Sequence, residues 1–321
     1  MQIERDYRNL ELGAGRAISV GVFDGVHLGH RRIFGRLVEV ARQRGLEPVG
    51  VSFDLHPLAV VAPDRVPPLL STLDERARLL GELGVERLVV LPFDRELAGL
   101  TAEEFTRRVL VEALGARAVL EGSNFTFGRG ATGNCRLLRR LGRELGFYCE
   151  VLPPVRAGGD IVSSSLIRRC LAEGRVDLAA RYLERPYALP GLVVPGDRRG
   201  RTLGFPTANL EVAAERAVPG AGVYAVRVAV DKRSYGGMAN LGRRPTFAGE
   251  RESLEVHLFD YAGDLYGREI VVSFVQRLRN EQRLSGPAEL TAQLRRDMEL
   301  AREILARKFT PKSSYATMGS V

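Results

Sequence analysis

The chain has 321 residues, of which 45% are hydrophobic and 27% charged, so it can form two domains with ordinary cores. No apolar run approaches the roughly 20 residues that span a bilayer, and the N-terminus has no leader pattern, which predicts a cytoplasmic protein without membrane partners. The formal net charge is +8, but acidic residues interleave with the arginines, which favours anionic small molecules over nucleic acid. The three cysteines have no metal-ligand or disulfide spacing and are expected to be reduced thiols. A homo-oligomer is left open.

The first half of the chain alternates short β-like runs with amphipathic helices. Helices are predicted over 30–44, which Gly45 ends, and over 101–114, which begins at the capping box of Thr101 and Glu104. The predicted strands are 17–23, 48–53, 86–91, 117–121 and 147–152. This alternation predicts an α/β domain with a parallel sheet covered on both faces, and ligands beyond the carboxyl ends of its strands.

The pattern changes near residue 185. Short strands are predicted at 191–195, 221–230, 253–259 and 269–275, and no crossover helices separate them. This predicts a mostly antiparallel sheet or small β-barrel, closed by one helix that follows Ser285. We therefore expect domains at 1–184 and 185–309, and a disordered tail at 310–321 because that segment has no periodicity.

The stretch GVFDGVHLGH, residues 21–30, holds two of the four histidines. A strand that runs into a glycine-rich turn and then a helix presents backbone N–H groups to an anion. His27 and His30 can add hydrogen-bond donors or positive charge at a phosphate. No lysine follows the glycines, so this is not a Walker loop. Two surface histidines in a loop are the plain alternative.

HLGH resembles the HxGH motif of the nucleotidylyltransferase superfamily, whose members attack the α-phosphate of a nucleotide and release pyrophosphate. Residues 163–168, SSSLIR, resemble its second signature, with Ser165 where threonine is usual. The resemblance implies a Rossmann-like parallel sheet of the nucleotidylyltransferase type and catalytic roles for His27 and His30. The ATP and phosphate contacts that it implies are Gly21, Phe23, Asp24, Gly25, Gly29, Ser164, Ser165 and Arg168.

Two segments between these motifs look like the flavin-side motifs of the bacterial FAD synthetases. They are SFDLHP, residues 52–57, and NFTFG, residues 124–128. The resemblance implies that the flavin contacts are His56, Pro57, Asn124 and Phe125. Asn124 stands where many members have aspartate, so it keeps an acceptor but loses a charge. Core packing is an equal alternative for the two phenylalanines of NFTFG.

A second candidate site begins at LGFPTAN, residues 203–209, after the loop GDRRGRT. Such a loop can wrap phosphates, and Thr207 and Asn209 offer oxygens that suit magnesium. By composition alone the segment is only a turn. In SLEVHLF, residues 253–259, alternation puts Glu255 and His257 on one strand face, where a carboxylate could deprotonate an attacking alcohol or simply face solvent.

These segments resemble the riboflavin kinase module as a set, together with AGVYAV, MANLGRRPTF and LRNEQRL in the same order. The resemblance implies that Thr207 and Asn209 bind Mg²⁺ with ATP, and that Glu255 is the base toward the ribityl 5′-hydroxyl. It also implies a flavin and nucleotide pocket at Arg279 and Glu281. The expected phosphate contacts are Arg201, in the loop GDRRGRT, and Gly204, in LGFPTAN.

Together the motifs resemble the bifunctional riboflavin kinase/FAD synthetase family over residues 15–309. The resemblance implies that riboflavin is phosphorylated to FMN and FMN is adenylylated to FAD. ATP is then a co-substrate, Mg²⁺ a cofactor, and FMN and FAD are products. One alternative is a kinase with weak or lost adenylyltransferase activity, because Asn124 and Ser165 both differ from the usual family residues and both lie in the first domain. Others are a nucleotidylyltransferase with another acceptor, and a flavin- or RNA-responsive binder without turnover.

Overall fold

The computed structural model describes residues 1–5, 15–196, 204–246, 249–282 and 285–307. The internal contacts divide the chain into two compact units, Met1–Ser164 and Ser165–Val321. The expected domain boundary at 184/185 stays a prediction. Arg201 and the 310–321 tail lie outside the described residues, so nothing is added to what the sequence predicts for them.

The first unit is built on a parallel sheet. Its strands are β1 (Gln2–Glu4), β2 (Arg16–Val20), β3 (Glu47–Phe53), β4 (Arg87–Leu91), β5 (Ala116–Gly122), β6 (Thr126–Phe127), β7 (Gly133–Asn134), β8 (Tyr148–Leu152), β9 (Arg156–Ala157) and β10 (Asp160–Ile161). Within the described part, six of them pair in parallel in the order β1-β4-β3-β2-β5-β8. All five predicted strands are present, although the run at 17–23 leaves the sheet after Val20. β1 has too few residues to show an alternation.

Helices cover both faces of this sheet. They are α1 (Leu28–Arg44), α2 (Leu58–Val61), α3 (Leu73–Gly81), α4 (Arg95–Gly99), α5 (Ala102–Glu104), which continues as π-helical turns over Phe105–Ala113, and α6 (Cys135–Leu145). Successive strand residues enter opposite cores, since Ile18 packs with Phe105 and Leu138, whereas Ala17 packs with Phe34 and Leu37. The expected two-sided burial is confirmed. The predicted capping box is present, since Thr101 and Glu104 exchange hydrogen bonds at 2.8 and 3.2 Å.

The second unit is a barrel preceded by two helices. The elements are α7 (Ser164–Ala172), whose first residue belongs to the first unit, α8 (Val176–Leu183), β11 (Tyr187–Val194), β12 (Ala208–Glu211), β13 (Gly222–Val230), β14 (Arg233–Thr246), β15 (Gly249–Leu258), β16 (Glu269–Arg279) and α9 (Pro287–Arg307). In the ranges described, the strands close an antiparallel barrel in the order β11-β12-β15-β14-β13-β16. Ala301 and Leu305 of α9 are buried against the barrel. The predicted barrel and closing helix are confirmed, whereas the polar, glycine-rich β14 was not predicted as a strand.

Two expectations for the whole chain can be compared with the structure. Cys135, Cys149 and Cys170 are all free thiols, as expected. Among the described residues, no helix combines the length and apolar character needed to cross a membrane.

Candidate active sites

Three predicted segments meet at the carboxyl edge of the parallel sheet. His27 follows β2, His56 follows β3 and Asn124 follows β5. These strands are neighbours in the order β3-β2-β5, and all are parallel. After β2, the strands β3 and β4 are added on one side of the sheet, whereas β5 and β8 are added on the other side. The junction between β2 and β5 is therefore a topological switch point. Ligands of open α/β sheets bind at such a point.

The loop over residues 21–27 has an unusual backbone. Phe23 and Val26 have φ angles of 51° and 40°, which are unfavourable for side chains with a Cβ and especially for β-branched valine. The buried carboxylate of Asp24 accepts hydrogen bonds from the N–H groups of Leu70 (2.9 Å) and Ser71 (2.9 Å). Asp24 therefore orders the 21–27 loop, and its contact with phosphate stays a prediction.

The N–H groups of the three predicted glycines have partners within the protein. Gly21 donates to the Val51 carbonyl at 2.9 Å, and Gly25 donates to the Ser71 hydroxyl at 2.8 Å. Gly29 donates to Nδ1 of His27 at 3.1 Å, and a Cβ at this glycine would lie 2.9 Å from the His27 ring. The glycines thus shape the loop, and donation to an anion by the two imidazoles stays a prediction.

The two histidines stack on one another at the start of α1. Their ring centroids are 3.7 Å apart, with an interplanar angle of 19°. Because Nδ1 of His27 accepts the Gly29 N–H, the neutral His27 ring carries its proton on Nε2. Burial, followed by the proximity of His27 and of Arg76, holds the pKa of His30 well below its usual range. Burial therefore favours the neutral form of His30, and the roles of the two histidines at a phosphate stay predictions.

The other predicted phosphate-side residues lie on the 21–27 loop and on α7. The buried Phe23 ring contacts the His30 ring edge-on at 5.4 Å. The Ser164 hydroxyl, at the first residue of α7, donates to the Asp24 carbonyl at 2.9 Å, which ties the second motif to the 21–27 loop. Ser165 is the exposed next residue, and Arg168 lies one turn further along α7.

The flavin-side residues follow β3 and β5. His56 accepts the Leu58 N–H through Nδ1 at 3.2 Å, and Pro57 precedes α2 directly. Asn124 is exposed in the turn after β5. The Phe125 ring is partly buried and stacks on the buried Phe127 at 5.2 Å. Core packing therefore accounts for Phe127.

Four of the predicted kinase residues line one cavity of the barrel unit. The cavity has a volume of about 280 Å³, and Thr207, Glu255, Arg279 and Glu281 line it. The Thr207 hydroxyl lies 3.3 Å from the Glu255 carboxylate, and Asn209 is the direct partner of Glu255 across β12 and β15. Leu254, Val256 and Leu258 are buried behind them, so the predicted alternation of β15 is confirmed. Hydroxyl, amide and carboxylate oxygens are the donor set that magnesium prefers.

A second cavity of about 550 Å³ lies beside the first and shares Thr207 with it. Its other lining residues include Pro206, Tyr261, Asp264 and Tyr266. Gly204 is exposed in the turn that leads into this segment, with a φ angle of 81°. The barrel unit therefore offers two adjoining compartments, with the predicted magnesium ligand at their border.

Arg279 has a partner that the sequence did not reveal. Its Nε donates to both oxygens of the buried Asp297 carboxylate on α9, at 3.1 and 3.0 Å. Glu281 approaches β14 closely, because a Cβ at Gly242 would lie 2.4 Å from its Oε1. Arg279 thus anchors the closing helix while it lines the cavity, and its contact with flavin stays a prediction.

Glu121 is a second residue that sequence analysis missed. It is buried at the end of β5, and its carboxyl accepts the Val20 N–H at 2.6 Å. The β2–β5 pairing ends at Ile18 and Val119. Beyond this pair, the Glu121 side chain joins β5 to β2 through its hydrogen bond with Val20. Burial raises the pKa of Glu121 well above its usual value. The signal was a glutamate inside the apolar run AVLEG.

Comparison with known proteins gives two family matches, one in the N-terminal part of the chain and one in the C-terminal part. The family model for FAD synthetase matches residues 11–166, and the family model for riboflavin kinase matches residues 183–305. The chain belongs to the bifunctional riboflavin kinase/FMN adenylyltransferase family. It is a transferase with both a kinase and a nucleotidyltransferase domain, so the main expectation from the sequence is confirmed and the single-activity alternative is not supported.

Relatives of this enzyme match along nearly their whole length. The bifunctional riboflavin kinase/FMN adenylyltransferase of Escherichia coli (strain K12) is 42% identical, over 94% of this chain and 97% of that protein. The Bacillus subtilis (strain 168) protein of the same name is 35% identical, over 90% and 92%. A crystal structure from Streptococcus pneumoniae, described as a macrolide-efflux protein, is 32% identical with a TM-score of 0.85, over 94% of this chain and 98% of that one. The macrolide-efflux description applies to the Streptococcus pneumoniae protein, and this chain shares its fold.

Proposed function

We propose that the chain phosphorylates riboflavin to FMN in its barrel unit and adenylylates FMN to FAD in its parallel-sheet unit, with ATP as co-substrate of both reactions. One observation carries the proposal: each family match coincides with its own cluster of reactive side chains. The FAD synthetase match covers the stacked pair His27 and His30, and the riboflavin kinase match covers the cavity around Glu255.

In the kinase reaction, Glu255 accepts the proton of the riboflavin 5′-hydroxyl while that oxygen attacks the γ-phosphorus of ATP, and ADP leaves. Flavin occupies the smaller cavity with Arg279 and Glu281, and ATP occupies the larger one. The position of Thr207 supports this assignment, because its hydroxyl lies 3.3 Å from the carboxylate of Glu255 and borders both cavities. On this assignment, the γ-phosphate is transferred at the border between the two cavities.

Magnesium is held by Thr207 and Asn209, whose oxygens are suitable hard ligands. When bound, magnesium neutralises charge on the ATP phosphates. The contribution of the chain is to keep these donors beside Glu255, which lies directly opposite Asn209 on the neighbouring strand.

In adenylyl transfer, an oxygen of the FMN phosphate attacks the α-phosphorus of ATP and pyrophosphate leaves. The imidazoles of His27 and His30 donate N–H groups where charge develops on the phosphate oxygens, and Arg168 is the further phosphate contact that its motif predicts. No covalent intermediate is required, so the rate enhancement comes from positioning and electrostatics.

The flavin of FMN lies against His56–Pro57 and Asn124–Phe125. The sheet order supports this, because β3 and β5 flank β2 and therefore place these segments on either side of the histidine pair. The domain limits 1–184 and 185–309 and a cytoplasmic location stay predictions from the sequence.

The deciding experiment is incubation with riboflavin, ATP and Mg²⁺, followed by chromatographic separation of the flavins. We expect FMN first and then FAD. His30→Ala is expected to slow the second step by about 100-fold or more and so leave FMN. Glu255→Gln is expected to leave riboflavin unreacted but still convert added FMN to FAD. FMN without FAD from the unaltered chain would contradict the adenylyltransferase assignment.

A further inference from the structure

A buried arginine lies beneath the 21–27 loop. Arg76, near the start of α3, is only 6% exposed, although arginine is almost never this buried unless it is paired. Its Nη1 donates to the Val22 carbonyl (2.7 Å) and the Ser52 hydroxyl (3.2 Å), and its Nε donates to the Thr72 carbonyl (3.2 Å). All three acceptors are uncharged, so these hydrogen bonds do not neutralise the guanidinium.

The charged and titratable groups that face Arg76 compensate it only in part. Asp24 lies in the loop, His30 on α1 and Glu75 on α3. The carboxylate of Asp24 is turned to backbone N–H groups at 70 and 71, and that of Glu75 accepts the N–H of residue 72. Burial lowers the pKa of Arg76, and the proximity of Asp24 and Glu75 opposes this shift without cancelling it. A buried cation of this kind is costly before an anion binds.

The contact with Val22 also determines how the loop presents its backbone. The described peptide bonds are trans, and in a planar trans peptide the C=O and the following N–H point in opposite directions. Because Arg76 holds the Val22 carbonyl, the Phe23 N–H points away from the guanidinium. The same positive charge also contributes to the lowered pKa of His30. One side chain thus influences both the loop backbone and the protonation of the histidine beside it.

We propose that Arg76 is a positioning residue of adenylyl transfer, which preforms the 21–27 loop through Val22 and supplies buried positive charge for the triphosphate of ATP. This inference rests on the proposed reaction at His27 and His30. The guanidinium charge is only partly compensated in the free protein and becomes favourable when the anionic triphosphate arrives. Arg76 acts through the loop and the electric field and does not itself touch the reacting atoms.

The test compares Arg76→Met, Arg76→Lys and the control Arg78→Met. Arg78 lies on the same helix but pairs with Glu82 at its surface. For FAD formation from FMN, we expect Arg76→Met to raise the KM for ATP by at least about 10-fold, and Arg78→Met to change it less than about twofold. Riboflavin phosphorylation is expected to be unchanged in every variant.

The pH profile separates an electrostatic role from a merely structural one. Loss of the charge at position 76 raises the pKa of His30, so the acidic limb of FAD formation moves to higher pH in Arg76→Met. Arg76→Lys keeps a charge and therefore keeps the unaltered profile, even where it loses affinity. If circular dichroism shows that Arg76→Met does not fold, Arg76→Gln replaces it, because this neutral side chain can still donate to the Val22 carbonyl. The acidic limb is then expected to shift to higher pH, and an unshifted limb would overturn the electrostatic role.

Two results would overturn the inference. An unchanged KM for ATP and an unchanged pH profile in a folded Arg76→Met would refute the role of Arg76 alone, while FAD formation by the unaltered chain upheld the proposed function. Absence of FAD from the unaltered chain and from Arg78→Met would refute the proposed reaction, and this inference with it.

Discussion

At the scale of single residues, two buried ionisable side chains hold the start of the 21–27 loop from different strands and helices. Glu121 of β5 accepts the Val20 N–H at 2.6 Å, and Arg76 of α3 donates to the Val22 carbonyl at 2.7 Å. Burial lowers the pKa of Arg76 and raises that of Glu121 well above its usual value. The start of the loop is therefore held by these side chains as well as by the hydrogen bond from the Gly21 N–H to the Val51 carbonyl.

The buried carboxyl of Glu121 predicts a specific dependence of stability on pH. Its pKa is raised in the folded protein, so its stabilising contribution is complete below the unfolded value of about 4.3 and is lost as the pH rises through the folded pKa. Glu121→Gln keeps an acceptor for the Val20 N–H but does not ionise. The free energy of unfolding of the unaltered chain, relative to this variant, should fall as the pH rises above about 4.3. Urea unfolding over a pH series measures this difference.

Glu150 of β8 provides the matched control. Hydrogen bonds from Arg36 lower its pKa, so its contribution is present above the unfolded value and is lost as the pH falls. Glu150→Gln should therefore remove a pH dependence of the opposite sign. Parallel stability curves for the unaltered chain and Glu121→Gln would show that Glu121 titrates normally.

At the scale of elements, the closing helix α9 is attached to the kinase cavity through one buried ion pair. The Nε of Arg279 donates to both oxygens of the Asp297 carboxylate, and Gln293 donates to the same carboxylate at 2.7 Å. Leu290 and Leu294 of this helix line the cavity. The position of α9 and the shape of the proposed flavin pocket are thus coupled.

Asp297→Ala is expected to impair riboflavin phosphorylation and to spare adenylyl transfer. Removal of one partner of a buried pair leaves the other charge uncompensated, at a typical cost of about 3–5 kcal/mol, which suffices to loosen α9. We expect the KM for riboflavin to rise at least about 10-fold, because pocket walls on α9 are displaced. Steady-state kinetics of both reactions in one preparation provide the measurement.

Asp260→Ala is the control for this prediction. Asp260 pairs with Arg302 of the same helix, but both side chains are largely exposed, so solvent screens the pair and it contributes little to stability. Its kinetics should match those of the unaltered chain. Equal effects of Asp260→Ala and Asp297→Ala would mean that the ion pair with Arg279 has no special role in shaping the pocket.

At the scale of the whole molecule, each unit contains its own set of reactive groups. The histidine pair lies in the first unit and Glu255 in the second. We therefore expect a mixture of His30→Ala and Glu255→Gln chains to convert riboflavin to FAD, after a lag while FMN passes through solution. Time courses of flavin composition test this expectation. If the mixture makes FMN but no FAD, although Glu255→Gln alone adenylylates added FMN, the product must pass within one chain.

The sequence by itself determined the two fold classes, and it predicted the residues of both sites. Strand alternation in SLEVHLF and helix periodicity after His30 are local patterns, so they persist whatever the tertiary arrangement. The HxGH and Pro-Thr-Ala-Asn segments were likewise recognisable from adjacent residues. β1 and β12, with three and four residues, are too short for such a pattern to be read.

Only the tertiary structure decided which groups act on one another. The contact between Arg76 and Val22 joins residues 54 positions apart, and that between Glu121 and Val20 joins residues 101 positions apart. These separations depend on the strand order β3-β2-β5, which no local period encodes. Burial follows from the same packing, and it is burial that keeps His30 neutral and raises the pKa of Glu121. Residue type thus indicated the chemistry, while long-range packing determined the protonation and the partners.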